Sequence, residues 1–235
     1  MKQFLPLLLL PIAPLFANDQ FSPDISPVIS KAGELIFSDD FDHAEINPKW
    51  VPLHGTQWAV IDGALQGKPS TDEFQQNRIA AGDKAHSGRT PSSRLMVESD
   101  DCIMLFRFKL SDTLKGAHFG FNDGTYQTGT GHVCRFAATT SGLTLQKDKN
   151  AKIKDDVDEE LVANDFPLKE DTWYWMMVEV IGDQIAAQVS GSPVLRAQHS
   201  RIDTPKDQIN LPTRGGGTIY YDHVRVWAAS PIDKP

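Results

Sequence analysis

The chain has 235 residues, of which 40% are hydrophobic and 23% are charged, and this composition is typical of a globular protein with one sizeable core. Its formal net charge is −8 at pH 7. Nucleic acids and anionic membrane surfaces attract basic proteins, so the acidic balance argues against both as partners and suits neutral or cationic ligands.

The first 17 residues, MKQFLPLLLLPIAPLFA, carry one lysine before an apolar run that is too short to span a bilayer. The pattern predicts a secretory signal peptide that is cleaved after Ala17. We therefore expect a periplasmic or extracellular protein without a membrane attachment after cleavage. An uncleaved membrane anchor is the alternative, which the prolines inside the run disfavour.

Apolar and polar residues alternate with a period of two along most of the chain after residue 33. Residues 18–33 are predicted to be an N-terminal spacer, 34–230 a single β-sandwich domain, and 231–235 a tail. Strands are predicted at 34–41, 57–63, 64–68, 93–99, 102–110, 117–123, 131–140, 143–148, 172–182, 184–191 and 217–227. Short strands separated by Gly, Asn and Asp turns indicate an all-β fold, a two-sheet antiparallel jelly-roll sandwich.

Two polar stretches, 69–91 and 149–168, interrupt this rhythm and are predicted to be loops that either border a site or are disordered. The second contains KDDVDEELVAND, which is compatible with one or two helical turns.

Two cysteines, Cys102 and Cys134, suggest a disulfide in an oxidising compartment. Both fall in predicted strands, and the strand at 117–123 fits between them. In such a meander the outer strands stand about 9.6 Å apart, which is too far for a bridge. We therefore predict two free, buried thiols.

Strand alternation also sorts the side chains by face. Residues such as Phe119 and Phe121 are expected to face the core, and the intervening positions to face outward. If the strands share one sheet, the outward residues form a single polar face. This predicted face consists of Arg107, His118, Asn122, Arg135, Gln146, Trp175, Glu179 and Gln188.

This mixture of residue types suits carbohydrate. Amides, carboxylates and guanidinium groups make paired hydrogen bonds to vicinal hydroxyls, and an aromatic ring covers the apolar face of a pyranose. The predicted substrate-binding residues are Arg107, Asn122, Arg135, Gln146, Trp175 and Gln188. The alternative is an ordinary solvated face on which Arg135 and Glu179 form a cross-strand ion pair.

Segments at the two ends of the chain, FSDDFDHAEINPKWVPLHGTQWAVIDGALQG and YYDHVRVWAA, resemble the opening and closing strands of concanavalin A-like jelly rolls. They are similar to stretches of family 16 glycoside hydrolases and of secreted 3-keto-disaccharide hydrolase-like domains. The middle of the chain, with GHVCRF and LTLQKDK, resembles bacterial members of the same superfamily. The resemblance implies a jelly roll with adjacent chain ends, and carbohydrate as the ligand.

The resemblance also implies a structural calcium ion. In family 16 proteins the aspartate of the closing strand helps to hold calcium between the chain ends, and Asp222 occupies that place. Asp40 or the carbonyl of Gly63 are the further ligands expected here, because calcium takes about six to eight oxygen ligands. The alternative is that Asp222 accepts hydrogen bonds from a neighbouring loop.

The catalytic signature of family 16, a strand with Glu, Asp and Glu at alternate positions, is absent from the sequence. The acidic run at 155–160 is interpreted as a solvated loop. The resemblance to 3-keto-disaccharide hydrolases implies instead Glu179 and His118 as a general acid–base pair, with Arg135 orienting the substrate. Three functions remain open: a secreted module that binds a glycan on its concave sheet face, a glycoside hydrolase or lyase, and a structural or adhesive sandwich.

Overall fold

The structure is a computed structural model that describes residues 24–111, 113–124 and 129–232. The predicted signal peptide at 1–17 lies outside the described residues. In chain order the strands are β1 (Ser30–Asp39), β2 (Trp50–Pro52), β3 (Gln57–Ile61), β4 (Ala64–Lys68), β5 (Ser92–Leu95), β6 (Cys102–Ser111), β7 (Gly116–Asp123), β8 (Gly131–Thr139), β9 (Gly142–Lys147), β10 (Glu159–Asn164), β11 (Trp173–Ile181), β12 (Gln184–Val189), β13 (Leu195–Gln198), β14 (Gln208–Arg214) and β15 (Thr218–Pro231).

Among the described residues, helical structure lies in one predicted loop, 69–91. Helix α1 (Asp72–Ala80) begins after Thr71, whose hydroxyl accepts a hydrogen bond from the N–H of Phe74 at 3.2 Å, and a short 3-10 helix (Lys84–His86) follows. No helix among the described residues has the length and apolar character needed to cross a bilayer.

The strands form two antiparallel sheets that enclose the core. Sheet A has the order β13–β12–β11–β6–β15–β4–β3, with β1 added against β15, and sheet B has the order β10–β9–β8–β7–β14–β5–β2. The first and last strands pair from Ser30 with Pro231 to Asp39 with Val224. The prediction of an all-β jelly-roll sandwich with adjacent chain ends is confirmed.

The core between the sheets is rich in aromatic side chains, as the alternation predicts. Phe106 of sheet A packs edge-to-face against Phe119 of sheet B, with ring centroids 5.6 Å apart, and against Tyr221 at the same distance. Trp50 stacks on Tyr221 at 6.3 Å. Each such side chain contributes about 1.5–3 kcal/mol by leaving water, so this aromatic cluster holds the two sheets together.

Four strands lie where none was predicted, namely β2, β10, β13 and β14. Strand β14 contains Pro212, and proline rarely occurs inside a sheet, so the segment was not predicted as a strand. Strand β10 is a sheet edge in which the apolar residues 161–163 are consecutive, so it lacks a clear alternation, and the helical turns considered for this stretch are not formed. Strand β1 begins at Ser30, within the predicted spacer.

The two cysteines are free and fully buried, as predicted, but the expected geometry is wrong. Cys102 lies on β6 of sheet A and Cys134 on β8 of sheet B, so they do not share a meander. Burial raises the pKa of both thiols, that of Cys134 to about 12.

Candidate functional site

The expectation that the eight predicted polar residues share one face is wrong. Arg107, Trp175, Glu179 and Gln188 lie on β6, β11 and β12 of sheet A. His118, Asn122, Arg135 and Gln146 lie on β7, β8 and β9 of sheet B. The core separates the two sheets, so their outer faces point in opposite directions and the set divides into two groups of four.

Part of the outer face of sheet A is covered by residues 25–30, which we call the N-terminal strap. The Glu179 carboxylate accepts backbone N–H hydrogen bonds from Val28 at 2.8 Å and from Ile29 and Ser30 at 3.0 Å, and a fourth from the Ser30 hydroxyl at 2.7 Å. Only 1% of Glu179 is exposed. A carboxylate with these four partners holds the strap in place and is not accessible to a substrate.

The predicted acid–base pair is therefore wrong, because Glu179 lies under the strap of sheet A and His118 lies on sheet B. The Gln188 side chain is also engaged by the strap, since its Nε2 donates to the carbonyl of Ser26 at 2.8 Å. Beneath the strap Ile25 joins an apolar cluster with Leu105 and Met177, which Trp175 flanks.

At the junction of the chain ends, arginines take the place that the resemblance assigned to calcium. The Asp222 carboxylate accepts hydrogen bonds from Arg107 at 3.2 Å and from the N–H of His223 at 2.7 Å. Both oxygens of Asp40 accept from Arg225 at 2.7 Å. Because each carboxylate already has a cationic partner, these side chains do not fit a calcium ion, and Gly63 serves the β3–β4 turn with a φ of +73°.

No group of three or more His, Cys, Asp or Glu side chains within the described part of the chain is arranged to hold a metal ion. Structural calcium is therefore implied by the resemblance alone, and the arginine contacts of Asp222 and Asp40 argue against it.

The outer face of sheet B, in contrast, carries an open groove of about 540 Å³ that crosses β7, β8, β9 and β10. A smaller pocket of about 270 Å³ adjoins it, and both are lined by Arg135 and Asp158. We call the two cavities together the sheet B trough. The predicted residues His118, Arg135 and Gln146 line the groove, and Asn122 lines the pocket.

Arg135 stands where the groove and the pocket meet. Its Nη2 lies 2.5 Å from Oδ1 of Asp148 and 3.1 Å from Oδ2 of Asp158. Gln146, the cross-strand partner of Arg135, donates to the same Asp148 oxygen at 3.1 Å. The Nε atom of Arg135 and the Nε2 atom of His118 are buried without a hydrogen-bond partner in the described part of the molecule. Buried polar atoms without partners are groups that a bound ligand or water can satisfy.

The trough shifts the protonation of its titratable groups. Burial raises the pKa of Asp148 to about 6, although Arg135 works in the opposite direction. Burial, together with the nearby charges of Arg135 and Arg214, lowers the pKa of His118 to about 4. At neutral pH His118 is therefore an uncharged imidazole, which has one hydrogen-bond donor and one acceptor, as a sugar hydroxyl requires.

His132 is a further neutral group in the pocket. Desolvation and then the charge of Arg135 lower its pKa, and its Nδ1 lies 2.7 Å from Oδ1 of Asn122. Because an amide oxygen only accepts, Nδ1 carries the proton and Nε2 is left as an acceptor.

Sequence reasoning missed Asp158, His132 and Arg201 as contributors to the site. Asp158 belongs to the acidic run interpreted as a solvated loop, and His132 lies at the end of a strand beside a bulge. Arg201 is 8% exposed and donates to the carbonyls of His132 at 2.6 Å and Asp148 at 3.4 Å. It fixes the wall of the pocket from the loop between β13 and β14, and nothing in its local sequence indicates this role.

Comparisons with known proteins identify solved structures that have a similar fold. No family model matches the chain, and no curated protein matches it. Among solved structures, the carbohydrate binding module CBM66 from Bacillus subtilis is 13% identical, with a TM-score of 0.53, covering 77% of this chain and 96% of that one. The Bacillus licheniformis beta-glucanase is 11% identical, with a TM-score of 0.59, covering 84% and 99%.

The laminarinase from Rhodothermus marinus is 15% identical, with a TM-score of 0.59, covering 86% of this chain and 99% of that one. At these identities the likeness establishes the fold, a concanavalin A-like jelly roll, and carries no residue roles.

Proposed function

We propose that this protein is exported and binds an oligosaccharide in the sheet B trough. The observation that supports the proposal most directly is the trough itself, an open groove across four neighbouring strands that is lined by guanidinium, amide and imidazole groups. The expected concave binding face then corresponds to the outer face of sheet B.

The chemistry of the lining suits hydroxyl groups. Arg135 offers a planar set of donors, Gln146 offers an amide, and His118 is a neutral imidazole that both donates and accepts. Opposite charges are paired at the centre of the trough, in the contacts of Arg135 with Asp148 and Asp158, and this pairing suits a neutral ligand there.

The comparisons support the same ligand class. The names of the similar structures are those of a carbohydrate binding module, a beta-glucanase and a laminarinase. The signal-like segment MKQFLPLLLLPIAPLFA supports export to a compartment where polysaccharides are met.

The proposed site excludes the sheet A members of the predicted set. Arg107 is paired with Asp222, and Gln188 is bonded to the strap. A structural or adhesive role loses its main support as well, because the apolar strip on sheet A is covered by Ile25 rather than offered to a partner.

The test is calorimetric titration of the purified protein with neutral tetrasaccharides of glucose, xylose, mannose and galactose. Removing a hydrogen bond to a charged group costs about 1.5–3 kcal/mol, so Arg135→Ala is expected to weaken binding by roughly 10- to 150-fold. Arg107→Ala is the matched control, because this arginine is also strand-borne and paired with an aspartate but lies on sheet A. Equal losses in both variants, or no heat with any sugar, would refute the site.

A further inference from the structure

We propose that Asp148 and Asp158, at the junction of groove and pocket, form the catalytic carboxyl pair of a retaining glycoside hydrolase. The inference rests on the proposed function, since it requires the sugar chain to lie in the sheet B trough. It adds a reaction and assigns its two residues, which come from the end of β9 and from the following loop.

The spacing of the two carboxylates supports this reaction class. Oδ1 of Asp148 and Oδ2 of Asp158 contact the same Nη2 atom of Arg135, at 2.5 and 3.1 Å. The separation of the two oxygens cannot exceed the sum of these two contacts. Inverting glycosidases separate their carboxyl groups by about 6.5–9.5 Å to admit a water molecule, whereas retaining ones hold them about 5–5.5 Å apart, so two oxygens on one arginine nitrogen favour retention.

The surroundings of the two carboxyl groups differ in the way that acid and nucleophile require. Asp148 is 3% exposed, and its Oδ2 receives no hydrogen bond from any described residue, which leaves an oxygen free to carry a proton. Burial favours that proton by raising the pKa of Asp148 to about 6. Asp158 has a half-exposed side chain, and its Oδ1 accepts the N–H of Lys149 at 2.9 Å, which orients it as the nucleophile.

The position of the pair between two cavities defines the substrate class. The smaller pocket, of about 270 Å³, lies on one side of Arg135 and the groove, of about 540 Å³, on the other. A sugar chain that occupies both places the glycosidic bond between them over the junction. The expected substrate is therefore an oligosaccharide or polysaccharide with units on both sides of the cleaved bond.

In the first step an oxygen of Asp158 attacks the anomeric carbon and forms a covalent ester, while the bond from that carbon to the leaving oxygen breaks. Asp148 donates its proton to the leaving oxygen, so the departing sugar is a neutral alcohol. In the second step water attacks the anomeric carbon, Asp148 takes a proton from the water, and the ester bond breaks to restore the Asp158 carboxylate. The net reaction consumes one water and retains the anomeric configuration.

Two neighbouring side chains position the pair without touching the reacting atoms. Gln146 donates to Oδ1 of Asp148 at 3.1 Å and so fixes the orientation of this carboxyl group. Arg201 donates to the Asp148 carbonyl at 3.4 Å and holds the backbone at the end of the strand.

The test compares the wild-type protein with Asp148→Ala, Asp158→Ala and the control Asp156→Asn. Asp156 lies in the same loop and pairs with Lys147, outside the junction, so its variant is expected to keep the wild-type rate. The substrates are the neutral tetrasaccharides and the 2,4-dinitrophenyl glycosides of glucose, xylose, mannose and galactose. Melting temperatures and circular dichroism identify variants that fail to fold, and Asp148→Asn and Asp158→Asn then replace them.

The wild type is expected to cleave at least one tetrasaccharide with retention, followed by proton NMR. Asp148→Ala is expected to lower that rate by roughly 10²- to 10⁴-fold but to retain its first turnover of the dinitrophenyl glycoside, whose leaving group needs no proton. Added azide should accelerate Asp148→Ala and yield the glycosyl azide of retained configuration, whereas with Asp158→Ala it should yield the inverted one.

Binding of a tetrasaccharide to wild type without cleavage would overturn the catalytic inference and leave the proposed function standing. Cleavage that Asp148→Ala and Asp158→Ala leave unchanged, or cleavage with inversion, would overturn it as well. Absence of both binding and cleavage would overturn the proposed function and the inference together.

Discussion

The two outer faces of the sandwich use buried carboxylates in opposite ways. On sheet A the Glu179 carboxylate receives four hydrogen bonds and fixes the N-terminal strap over an apolar cluster. On sheet B Asp148 is as deeply buried but receives its contacts on one oxygen only, and it lines an open cavity. A buried carboxylate with a full set of partners stabilises the fold, whereas one left partly unsatisfied beside a cavity is available for a ligand.

The largest expected effect is the loss of stability when Glu179, which holds the strap on sheet A, is replaced by alanine. Glu179→Ala leaves three backbone N–H groups and a hydroxyl without an acceptor. Removing a buried charged group and leaving its partners unpaired lowers the free energy of unfolding by about 3–5 kcal/mol. Urea denaturation measures the loss, and the affinity of the folded fraction for sugar should stay unchanged. A loss below about 1 kcal/mol would show that the strap contributes little to stability.

The next largest effect is the pH dependence of stability that Asp148 and His118 of sheet B produce. The pKa of Asp148 is raised from 3.8 to about 6, so between these values the folded protein keeps a proton that the unfolded chain releases. The contribution of Asp148 to the free energy of unfolding therefore falls as the pH rises from 3.8 to about 6. The pKa of His118 is lowered from 6.5 to about 4, so its contribution falls as pH decreases through nearly the same window.

These two opposing trends should largely cancel in the wild type. Asp148→Asn is expected to show a free energy of unfolding that rises by roughly 2–3 kcal/mol from pH 4 to pH 6.5, and His118→Asn one that falls by a similar amount. Urea denaturation at pH 4, 5, 6 and 7 measures both slopes. Variants that run parallel to the wild type at every pH would show that neither group has a shifted pKa.

A smaller loss of stability is expected when the apolar contact of the strap with sheet A is removed. Ile25 is 3% exposed and packs on the cluster that includes Leu105 and Met177. Ile25→Ala is expected to reduce the free energy of unfolding by about 2 kcal/mol, because the strap loses buried apolar area. Increased binding of an apolar dye would report exposure of the cluster, and an unchanged melting temperature would contradict the packing described.

The smallest expected effect is that of a chelator on the melting temperature. Because Asp222 and Asp40 are engaged by Arg107 and Arg225, removing calcium should leave the melting temperature unchanged. A ligand that binds only the native state stabilises it by mass action, so a fall of several degrees with EDTA would restore the calcium ion implied by the resemblance.

Local patterns in the sequence predict much of the fold. The predicted limits of β4 are those observed, and the side chains that alternate along β6 and β7, such as Phe106 and Phe119, meet in the core. These features depend on neighbouring residues alone. Strand β14 was missed because Pro212 breaks its pattern, and β10 because its apolar residues are consecutive rather than alternating.

The candidate site was predicted only in part, for a physical reason. Strand alternation identifies the outward side of each strand but does not say to which sheet the strand belongs, and this is decided by pairing between distant segments. Glu179 and Arg135 were therefore assigned to one face although they lie on opposite sheets. The strap over Glu179 depends on contacts across about 150 residues, which no local pattern reports.

The central claim is that the sugar binds on sheet B, and amide chemical-shift mapping by NMR tests it most directly. The isotopically labelled protein is titrated with the tetrasaccharide that gives the largest calorimetric heat. The account predicts that the largest shifts cluster on β8, β9 and the loop that carries Asp158, around Arg135. Shifts concentrated instead on β6, β11 and the N-terminal strap, around Trp175, would contradict it.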